Sequence, residues 1–322
     1  MSFPQIMPSW LIKSALQRAI SWLPNPHFWN GILQASFTKS TSLSRSTFEG
    51  KVAECHRHLQ AFWSFQSLKS DFAAYELGPG WFPIIPIGLY LCGAREIWTV
   101  DIADLLRPSA VRKVAGYYSE CAEDGLLAKI LPAFRPERIK TLENLMPFTW
   151  SEPSATLLAR LNFHVVVGPA QAAPIPSGAV DLLLSSGVLE YIPPTVLREV
   201  LVEARRTAAP GAIMSHRLNL ADAFSYFDRS ITPFNFLRYT ARQWRWLDSP
   251  LISQNRLRIS DYRALFRETG FKILREESDM GSADDLARTK LAPDFQHYKP
   301  EDLLVLHSFL TCRCTHTSPR AR

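Results

Sequence analysis

The chain has 322 residues, of which 47% are hydrophobic and 20% are charged, and it carries a formal net charge of +6. This composition is that of an ordinary globular protein, and the sequence has no apolar run of about 18 residues that would indicate a membrane span. The length predicts one elaborated domain rather than two. The first residues lack the features of a signal peptide, and five scattered cysteines do not make a disulfide framework. We therefore expect a reducing, cytoplasmic location.

The positive charge is concentrated in two segments. Residues 1–60 hold six Lys and Arg against two Asp and Glu, and residues 216–263 hold eight against four, so the rest of the chain is close to neutral. Neither segment contains a long Lys/Arg run. Despite a pI near 9.1, we therefore expect no nucleic acid partner.

Cys312 and Cys314 form one C-x-C pair near the end of the sequence. A closed zinc site needs four ligands, and no second pair of this kind accompanies the first. The sequence therefore predicts no metal site.

Helix and strand signals alternate from residue 48 onward. Apolar residues recur at helical spacing in 48–65, 83–93, 195–208 and 261–270, and short β-rich runs occupy 72–77, 96–102, 163–167, 179–185 and 211–218. Near-continuous apolar strands between helices indicate a parallel sheet covered on both faces. With two more strands predicted at 271–276 and 303–311, the expected fold is α/β, a doubly wound and mostly parallel seven-stranded sheet.

Long additions interrupt this pattern. Residues 1–69 are predicted to form a helical N-terminal cap on a core of residues 70–322. Within the core, residues 107–161 are helical in character and much longer than a usual crossover. Residues 219–260 follow the fifth strand and are rich in aromatic residues and arginine, and we interpret them as a lid.

The first predicted strand ends in a glycine turn, Gly78-Pro79-Gly80, which exposes bare backbone to a ligand. In a doubly wound sheet, a ligand binds beyond the carboxyl ends of the strands, with its ribose held by an acid at the end of the second strand. Asp101 stands at that position. A dinucleotide site would need a third glycine, but Pro83 takes its place, so the pattern favours a nucleoside cofactor without a pyrophosphate.

Four short stretches together resemble the class I S-adenosylmethionine-dependent methyltransferases. They are residues 76–80 (ELGPG), 100–102 (VDI), 177–192 (SGAVDLLLSSGVLEYI) and 209–213 (APGAI). The resemblance covers about residues 70–310 and implies a Rossmann-like methyltransferase fold with S-adenosylmethionine as cofactor and S-adenosylhomocysteine as product. The cofactor residues that it implies are Glu76, Gly78, Gly80, Asp101, Ile102, Ala170, Gln171 and Ser185.

Within this resemblance, Gly78 and Gly80 approach the methionine part, Asp101 holds the ribose hydroxyls, Ile102 lies against adenine, and Ser185 borders the site of methyl transfer. Where many members have Gly-Asp-Ala to bind the adenine amino group, this chain has residues 168–170 (GPA). The contact then comes from Gln171 or from the main chain, or it is absent. Residues 215–222 and 254–258 further resemble a bacterial small-molecule subgroup, although Asn219 and Ala223 replace its expected Asp and His.

Methyl transfer needs few catalytic residues, because the sulfonium methyl is already activated and the protein chiefly aligns the acceptor and removes its proton. His216, at the end of the fifth strand, is the candidate base, and Asp222 is its candidate orienting partner. A structural role for both, with Asp222 as a helix cap, is the alternative.

The acceptor is predicted to be a small molecule that is methylated on O, N or C, in secondary or specialised metabolism. We expect a mostly closed, aromatic-lined pocket under residues 2–48 and 219–260, for a planar or apolar compound that bears an acidic group near Arg238 or Arg256. The full set of candidate substrate residues is Tyr226, Asn235, Arg238, Asn255 and Arg256. Residues 185–188 (SSGV) lack the turn typical of enzymes that methylate base amines.

Two other functions remain open at this point. A non-methylating protein of the same fold would keep the cofactor pocket without transferring methyl, and a nicotinamide-dependent oxidoreductase would share the glycine turn and Asp101. The sequence does not indicate an oligomeric state.

Overall fold

The computed structural model of the chain describes residues 9–22, 43–66, 71–144, 152–248 and 253–315. The strands are β1 (Phe72–Leu77), β2 (Ala94–Asp101), β3 (Phe163–Val167), β4 (Val180–Ser186), β5 (Ala208–Asn219), β6 (Phe271–Met280) and β7 (Val305–Cys314). The described α-helices are α1 (Ser9–Ser21), α2 (Arg45–Phe65), α3 (Ile84–Leu91), α4 (Pro108–Glu123), α5 (Leu126–Ile130), α6 (Pro136–Glu143), α7 (Ser154–Ala159), α8 (Pro194–Thr207), α9 (Ala241–Leu247), α10 (Ile259–Glu268), α11 (Ala283–Arg288) and α12 (Pro300–Leu304).

The seven strands form one sheet in the order β3-β2-β1-β4-β5-β7-β6. Strands β1 to β5 are parallel, whereas β7 runs antiparallel between β5 and β6. All six residues of β1 are buried, as expected for a central strand covered on both faces. This is the mostly parallel, doubly wound sheet of the Rossmann-like methyltransferase fold, and the predicted fold class is confirmed.

Helix α2 is the main cover of one face of the sheet. It begins after Ser44, whose side chain accepts a hydrogen bond from the backbone N–H of Thr47. Its buried stripe consists of Phe48, Val52, Cys55, Leu59 and Phe62, which recur at helical spacing and pack with β1, α3 and α4. Helix α2 therefore belongs to the main hydrophobic core, and it brings the end of the predicted cap against the sheet.

The other face of the sheet is covered by α8 and α10. Leu197, Val200 and Leu201 of α8 and Phe266 of α10 pack there on β4, β5 and β7. Proline occupies the first turn of α8, where its missing N–H costs no helical hydrogen bond.

A third, smaller hydrophobic cluster lies outside the sheet. It joins Trp10 of α1 with residues of the 219–260 segment and with Leu286 of α11 and Leu303 of α12. The buried aromatic residues of the cluster are Trp10, Phe224, Phe234, Phe236, Trp244 and Phe295. The predicted lid therefore buries four of its eight aromatic residues in a local core of its own.

No helix among the described residues is long and apolar enough to cross a membrane. Within the same residues, no group of three or more His, Cys, Asp or Glu has an arrangement that could hold a metal ion. All five cysteines are free and buried.

Candidate functional site

The turn after β1 lies at the carboxyl edge of the sheet, beside the end of β2. Gly78 and Gly80 both adopt left-handed backbone conformations, with φ of 72° and 66°. The carboxylate of Asp101 accepts hydrogen bonds from the backbone N–H of Ala103 at 3.1 Å and of Gly80 at 3.4 Å. Burial raises the pKa of the Asp101 carboxyl, and these backbone amides partly offset the rise. The acid predicted to hold a ribose is therefore tied directly to the glycine turn.

A cavity of about 490 Å³ opens at this edge, and we call it the first cavity. Its walls are mostly apolar, and they come from the ends of β1 and β2 and from the segments that follow β3 and β4. The residues that line it are Leu77, Gly78, Val100, Asp101, Ile102, Gly168, Pro169, Ala170, Gln171, Gly187, Val188, Tyr191, Ile192, Pro193, Val196 and Val200. Ile102 is an apolar residue that is 81% exposed beside the Asp101 carboxylate, so this wall offers a flat apolar surface next to a hydrogen-bond acceptor.

A second cavity, of about 310 Å³, lies on the other side of the glycine turn. Helix α2 contributes Thr47 and Lys51 to it, and the turn after β1 contributes Trp81 and Phe82. The other lining residues are Leu43, Glu76, Gly78, Pro79, Gly80, Ile84, Ile85, Ser186, Gly187 and Val188. The two cavities share Gly78, Gly187 and Val188, so one elongated ligand could occupy both.

Val188 lines both cavities and lies against the glycine turn. A Cβ atom placed on Gly78 would lie 2.6 Å from Cγ2 of Val188. A side chain at residue 78 would therefore collide with the β4 loop. A Cβ atom on Gly80, in contrast, meets no atom within 4 Å, so this glycine borders open space in the second cavity.

Glu76 places a buried carboxyl in the second cavity. Its side chain is 3% exposed, and Oε2 has no hydrogen-bond partner among the described residues. Burial raises the pKa of Glu76 to about 8, and the positive charge of Lys51 opposes this rise. Lys51 itself lies 3.1 Å from the carboxylate of Glu54. The cavity thus holds a buried acid whose Oε2 has no hydrogen-bond partner among the described residues, and a cation that remains partly exposed.

Glu190, in the loop after β4, is a second buried acid close to the cavities. It is 2% exposed, and among the described residues neither carboxylate oxygen has a hydrogen-bond partner. Burial raises its pKa to about 8. A Cβ atom on Gly187 would lie 3.5 Å from Oε1 of Glu190, so this acid supports the loop that separates the two cavities.

His58 of α2 connects the helix to the polar wall of the second cavity. Its Nδ1 lies 2.8 Å from Oγ of Ser215, and its Nε2 lies 2.9 Å from Oγ of Ser186. Burial lowers the pKa of His58 to about 3, so the ring is neutral, with one nitrogen donating and the other accepting. Since Ser186 lines the second cavity, this chain of hydrogen bonds fixes the orientation of a hydroxyl that faces the ligand space.

The structure places Ser185 and His216 on the opposite face of the sheet. Ser185 is fully buried, and its Oγ lies 2.8 Å from Nδ1 of His216. His216 packs near Phe266 of α10 in the core under α8, and burial lowers its pKa to about 3. Successive strand residues point to opposite faces of the sheet. The hydroxyl at the cavity is therefore that of Ser186 and not that of Ser185, which the sequence predicts. Neither Ser185 nor His216 lines the two cavities.

Asp222 does not contact His216. Its Oδ1 accepts from the backbone N–H of Phe224 at 2.8 Å, and its Oδ2 accepts from the side chain of Asn235 at 3.0 Å. Burial raises the pKa of Asp222 to about 6. These contacts match the alternative in which Asp222 caps the following helical turn.

Three of the predicted substrate residues use their polar groups within the protein. Asn235 is buried against Asp222. The side chain of Asn255 donates to the backbone carbonyls of Leu189 and Ile192 and thus holds the loop that lines the first cavity. Arg256 donates to the carbonyls of Phe236 and Tyr239. Arg256 is therefore committed to contacts within residues 219–260, which we call the lobe, and it lines neither cavity.

The remaining two substrate candidates also lie away from the cavities. The hydroxyl of Tyr226 lies 2.7 Å from Nε2 of His307 and 3.2 Å from Oδ1 of Asn219. Arg238 is exposed in a separate depression that it shares with Arg288 and Lys290. Neither cavity is lined by a described residue of 219–260, and residues 2–8, 23–42 and 249–252 of the predicted pocket roof lie outside the described residues.

The chain aligns over most of its length with solved structures of S-adenosylmethionine-dependent methyltransferases. One from Mesorhizobium loti shares 13% identity, with 79% of this chain and 96% of that chain covered and a TM-score of 0.42. Geranyl diphosphate C-methyltransferase from Streptomyces coelicolor, in complex with Mg2+, geranyl diphosphate and S-adenosyl-L-homocysteine, shares 10% identity, with 81% of each chain covered and a TM-score of 0.43. The [4+2]-cyclase SpnF shares 15% identity, with 80% of each chain covered and a TM-score of 0.43. These likenesses concern the fold alone.

No family model matches the chain, and no curated protein is similar to it in sequence.

Proposed function

We propose that the protein is an S-adenosylmethionine-dependent methyltransferase that acts on a small-molecule acceptor. One observation carries the proposal: Asp101, exposed Ile102 and the glycine turn line an apolar cavity at the carboxyl edge of the sheet. A ribose needs a hydrogen-bond acceptor and a purine needs a flat apolar wall, and both are side by side here.

The residues present fit an adenosyl cofactor along its whole length. In the first cavity, Asp101 would hold the ribose hydroxyls and Ile102 would pack against the adenine, while Ala170 and Gln171 form the wall across from them. The adenine amino group donates hydrogen bonds and Pro169 has no side-chain acceptor, so we assign this contact to the side-chain carbonyl oxygen of Gln171.

In the second cavity, Glu76 would bind the α-ammonium group of the methionine part. This assignment rests on its buried Oε2, which lacks a partner among the described residues. Lys51 of α2 would bind the α-carboxylate, because it lines the same cavity and is partly exposed. The open space next to Gly80 leaves room for this part of the cofactor.

When bound, the cofactor supplies a sulfonium methyl that is already activated. The protein then has to hold the acceptor in line and exclude water. Ser186, held by His58, offers the acceptor a hydrogen bond in the second cavity, while Trp81 and Phe82 offer apolar surface. We therefore propose a planar or apolar acceptor that carries a hydroxyl or amino group. The two arginines predicted to bind an acidic group do not support that part of the prediction, since Arg256 is engaged in the lobe and Arg238 lies elsewhere.

A binding experiment separates this proposal from a nicotinamide-dependent oxidoreductase. We expect calorimetry to detect S-adenosylhomocysteine binding and no binding of NAD under the same conditions. Preferential binding of NAD would overturn the proposal.

A turnover experiment separates transfer from a non-methylating use of the same pocket. The protein is incubated with methyl-deuterated S-adenosylmethionine and a panel of phenols, indoles and aliphatic alcohols and amines. We expect S-adenosylhomocysteine and a labelled product to appear together by mass spectrometry. A compound that is converted without uptake of the label would favour the non-methylating function.

A further inference from the structure

Helix α1 carries several of its apolar residues on the side that faces solvent. Ile12 is 53% exposed, Leu16 is 40% exposed, and Trp22, directly after the helix, is 81% exposed. Ala15 and Ala19 lie between them and are exposed as well. At about 100° per residue these five positions span an arc of about 120°. The buried side of the helix combines Trp10 with the polar residues Ser14 and Gln17, so polar side chains are buried while apolar ones are exposed.

Hydrogen bonds to the lobe hold α1 in this orientation. The hydroxyl of Ser14 donates to the carbonyl of Leu247. The guanidinium of Arg18 donates to the carbonyls of Arg245 and Asp248 at 2.6 and 3.0 Å. The backbone N–H of Trp10 donates to Asp228 at 3.1 Å. Because Ser14, Arg18 and Trp10 all bond toward the lobe, the apolar arc points outward.

Helix α9 extends this surface with a second exposed tryptophan. Trp246 is 72% exposed, and the guanidinium of Arg18 lies 5.7 Å from its ring. We call the surface formed by Ile12, Leu16, Trp22 and Trp246 the α1 face. Tryptophan is an amphipathic side chain that is enriched where membranes meet water.

The α1 face has cations along its borders. Lys13 and Arg18 flank the apolar arc on α1, and Arg242 and Arg245 are exposed on α9. Two acids of the lobe, Asp228 and Asp248, are 6% and 5% exposed and accept hydrogen bonds there. The exposed acid Asp294 accepts from the backbone N–H of Ala241 at the start of α9. The two basic segments of the sequence therefore meet at this surface, where four cations stand against three acids, a local excess of one positive charge.

We propose that the α1 face docks on an anionic lipid surface, with α1 lying in the plane of the membrane interface. An apolar arc bordered by Lys and Arg is the arrangement by which amphipathic helices bind such surfaces, and each nearby cation adds to the attraction. A second copy of the chain fits the surface less well, because both copies would present the same positive charge. One short helix and one tryptophan also fall short of the roughly 800 Å² per partner of a stable interface.

The test measures binding of the full chain to vesicles by co-sedimentation. Vesicles of phosphatidylcholine alone are compared with vesicles that contain about a third phosphatidylglycerol, at about 0.1 M salt. We expect binding to the anionic vesicles and little binding to the neutral ones. The double variant Ile12→Ser/Leu16→Ser should bind the anionic vesicles about tenfold more weakly or worse. Because both side chains are exposed, its thermal unfolding should match the wild type.

A matched control uses two exposed apolar residues that lie outside α1 and α9. Val202 and Met280 are 56% and 52% exposed, so Val202→Ser/Met280→Ser removes comparable apolar surface elsewhere and should bind vesicles like the wild type. No binding to anionic vesicles, or equal losses in the two double variants, would overturn the proposal. A dimer seen by light scattering that Ile12→Ser/Leu16→Ser dissociates, without vesicle binding, would show that the face joins two copies instead.

Discussion

Replacing Gly78 or Gly80 by alanine should have different consequences, although both glycines sit in the same turn. Each substitution forces an L-residue into a left-handed conformation, which costs about 1–2 kcal/mol. At Gly78 the new methyl group also lies 2.6 Å from Cγ2 of Val188, and relief of such overpacking typically costs about 1–3 kcal/mol more. We therefore expect Gly78→Ala to lower the free energy of unfolding by about 2–5 kcal/mol and Gly80→Ala by about 1–2 kcal/mol.

Urea-induced unfolding of both variants measures this difference, and a double-mutant cycle locates its cause. Val188→Ala removes the two γ-methyl groups that the new side chain meets. Gly78→Ala/Val188→Ala should therefore lose less stability than the sum of the two single changes, by about 1–3 kcal/mol. Gly80→Ala with Val188→Ala should be additive. Equal losses at the two glycines, or additivity in both cycles, would refute the placement of Val188 over the turn.

Three further predictions concern the polar groups of the site. Lys51→Met should weaken S-adenosylhomocysteine binding about 5- to 30-fold in calorimetry, with Lys113→Met as a control. The variant should bind 5′-methylthioadenosine, which lacks the amino acid part, like the wild type. Equal losses for both ligands would contradict the carboxylate contact. Burial raises the pKa of Glu76 to about 8 from 4.5, so the folded state retains a proton that the unfolded chain releases. The contribution of this proton to the free energy of unfolding is therefore complete below about pH 4.5 and is lost as the pH rises through 8. Between pH 4.5 and 8, the free energy of unfolding of Glu76→Gln should therefore fall less than that of the wild type. If the free energies of the two proteins fell in parallel with pH, Glu76 would not be protonated in the folded state. His216→Gln should leave the affinity for S-adenosylhomocysteine unchanged. It should lower the free energy of unfolding by about 1–2 kcal/mol, because the hydrogen bond to Ser185 is lost. A large loss of affinity would show that His216 acts at the cavity.

Much of the sheet could be predicted because its signals are local. Strand β1 was predicted with its observed bounds, since an apolar run before a glycine turn is a strong local pattern. Strands β5 and β7 extend beyond their predicted ends, to Asn219 and Cys314, because pairing with neighbouring strands continues into residues that carry no strand signal of their own. The antiparallel position of β7 between β5 and β6 depends on distant pairing, which local periodicity does not encode.

The polar wall of the second cavity was harder to predict. A shift of one residue along a strand turns a side chain to the other face, so Ser185 and Ser186 have opposite surroundings. Lys51 and His58 were not selected because their helix was interpreted as part of a separate cap, and only tertiary packing brings α2 to the carboxyl edge of the sheet. One signal was present in the sequence: His58 follows Cys55 by three residues and precedes Phe62 by four, which places it on the apolar stripe of the helix, where a polar residue needs a buried partner.

For the predicted substrate residues, the sequence indicated residues that the structure places away from the cavities. Arginine and asparagine in a segment after the fifth strand suit ligand binding, but they also suit hydrogen bonds to backbone carbonyls in a lobe with little regular structure. Arg256 and Arg258 illustrate this, because both donate to carbonyls of the protein and Arg258 is fully buried. Whether such a side chain binds a ligand or a backbone carbonyl depends on where the carbonyls without a helix or strand partner lie in the folded chain.

Calorimetry of S-adenosylhomocysteine with the wild type and Asp101→Ala is the most direct test of the proposed cofactor site. Asp104→Ala is the matched control, since Asp104 is three residues away with its side chain 69% exposed. Loss of a charge-assisted pair of hydrogen bonds to the ribose should cost about 1.5–3 kcal/mol, which corresponds to an affinity about 10- to 150-fold lower for Asp101→Ala, while Asp104→Ala binds like the wild type. A wild type that does not bind S-adenosylhomocysteine, or an Asp101→Ala variant that binds it as tightly as the wild type, would contradict the account.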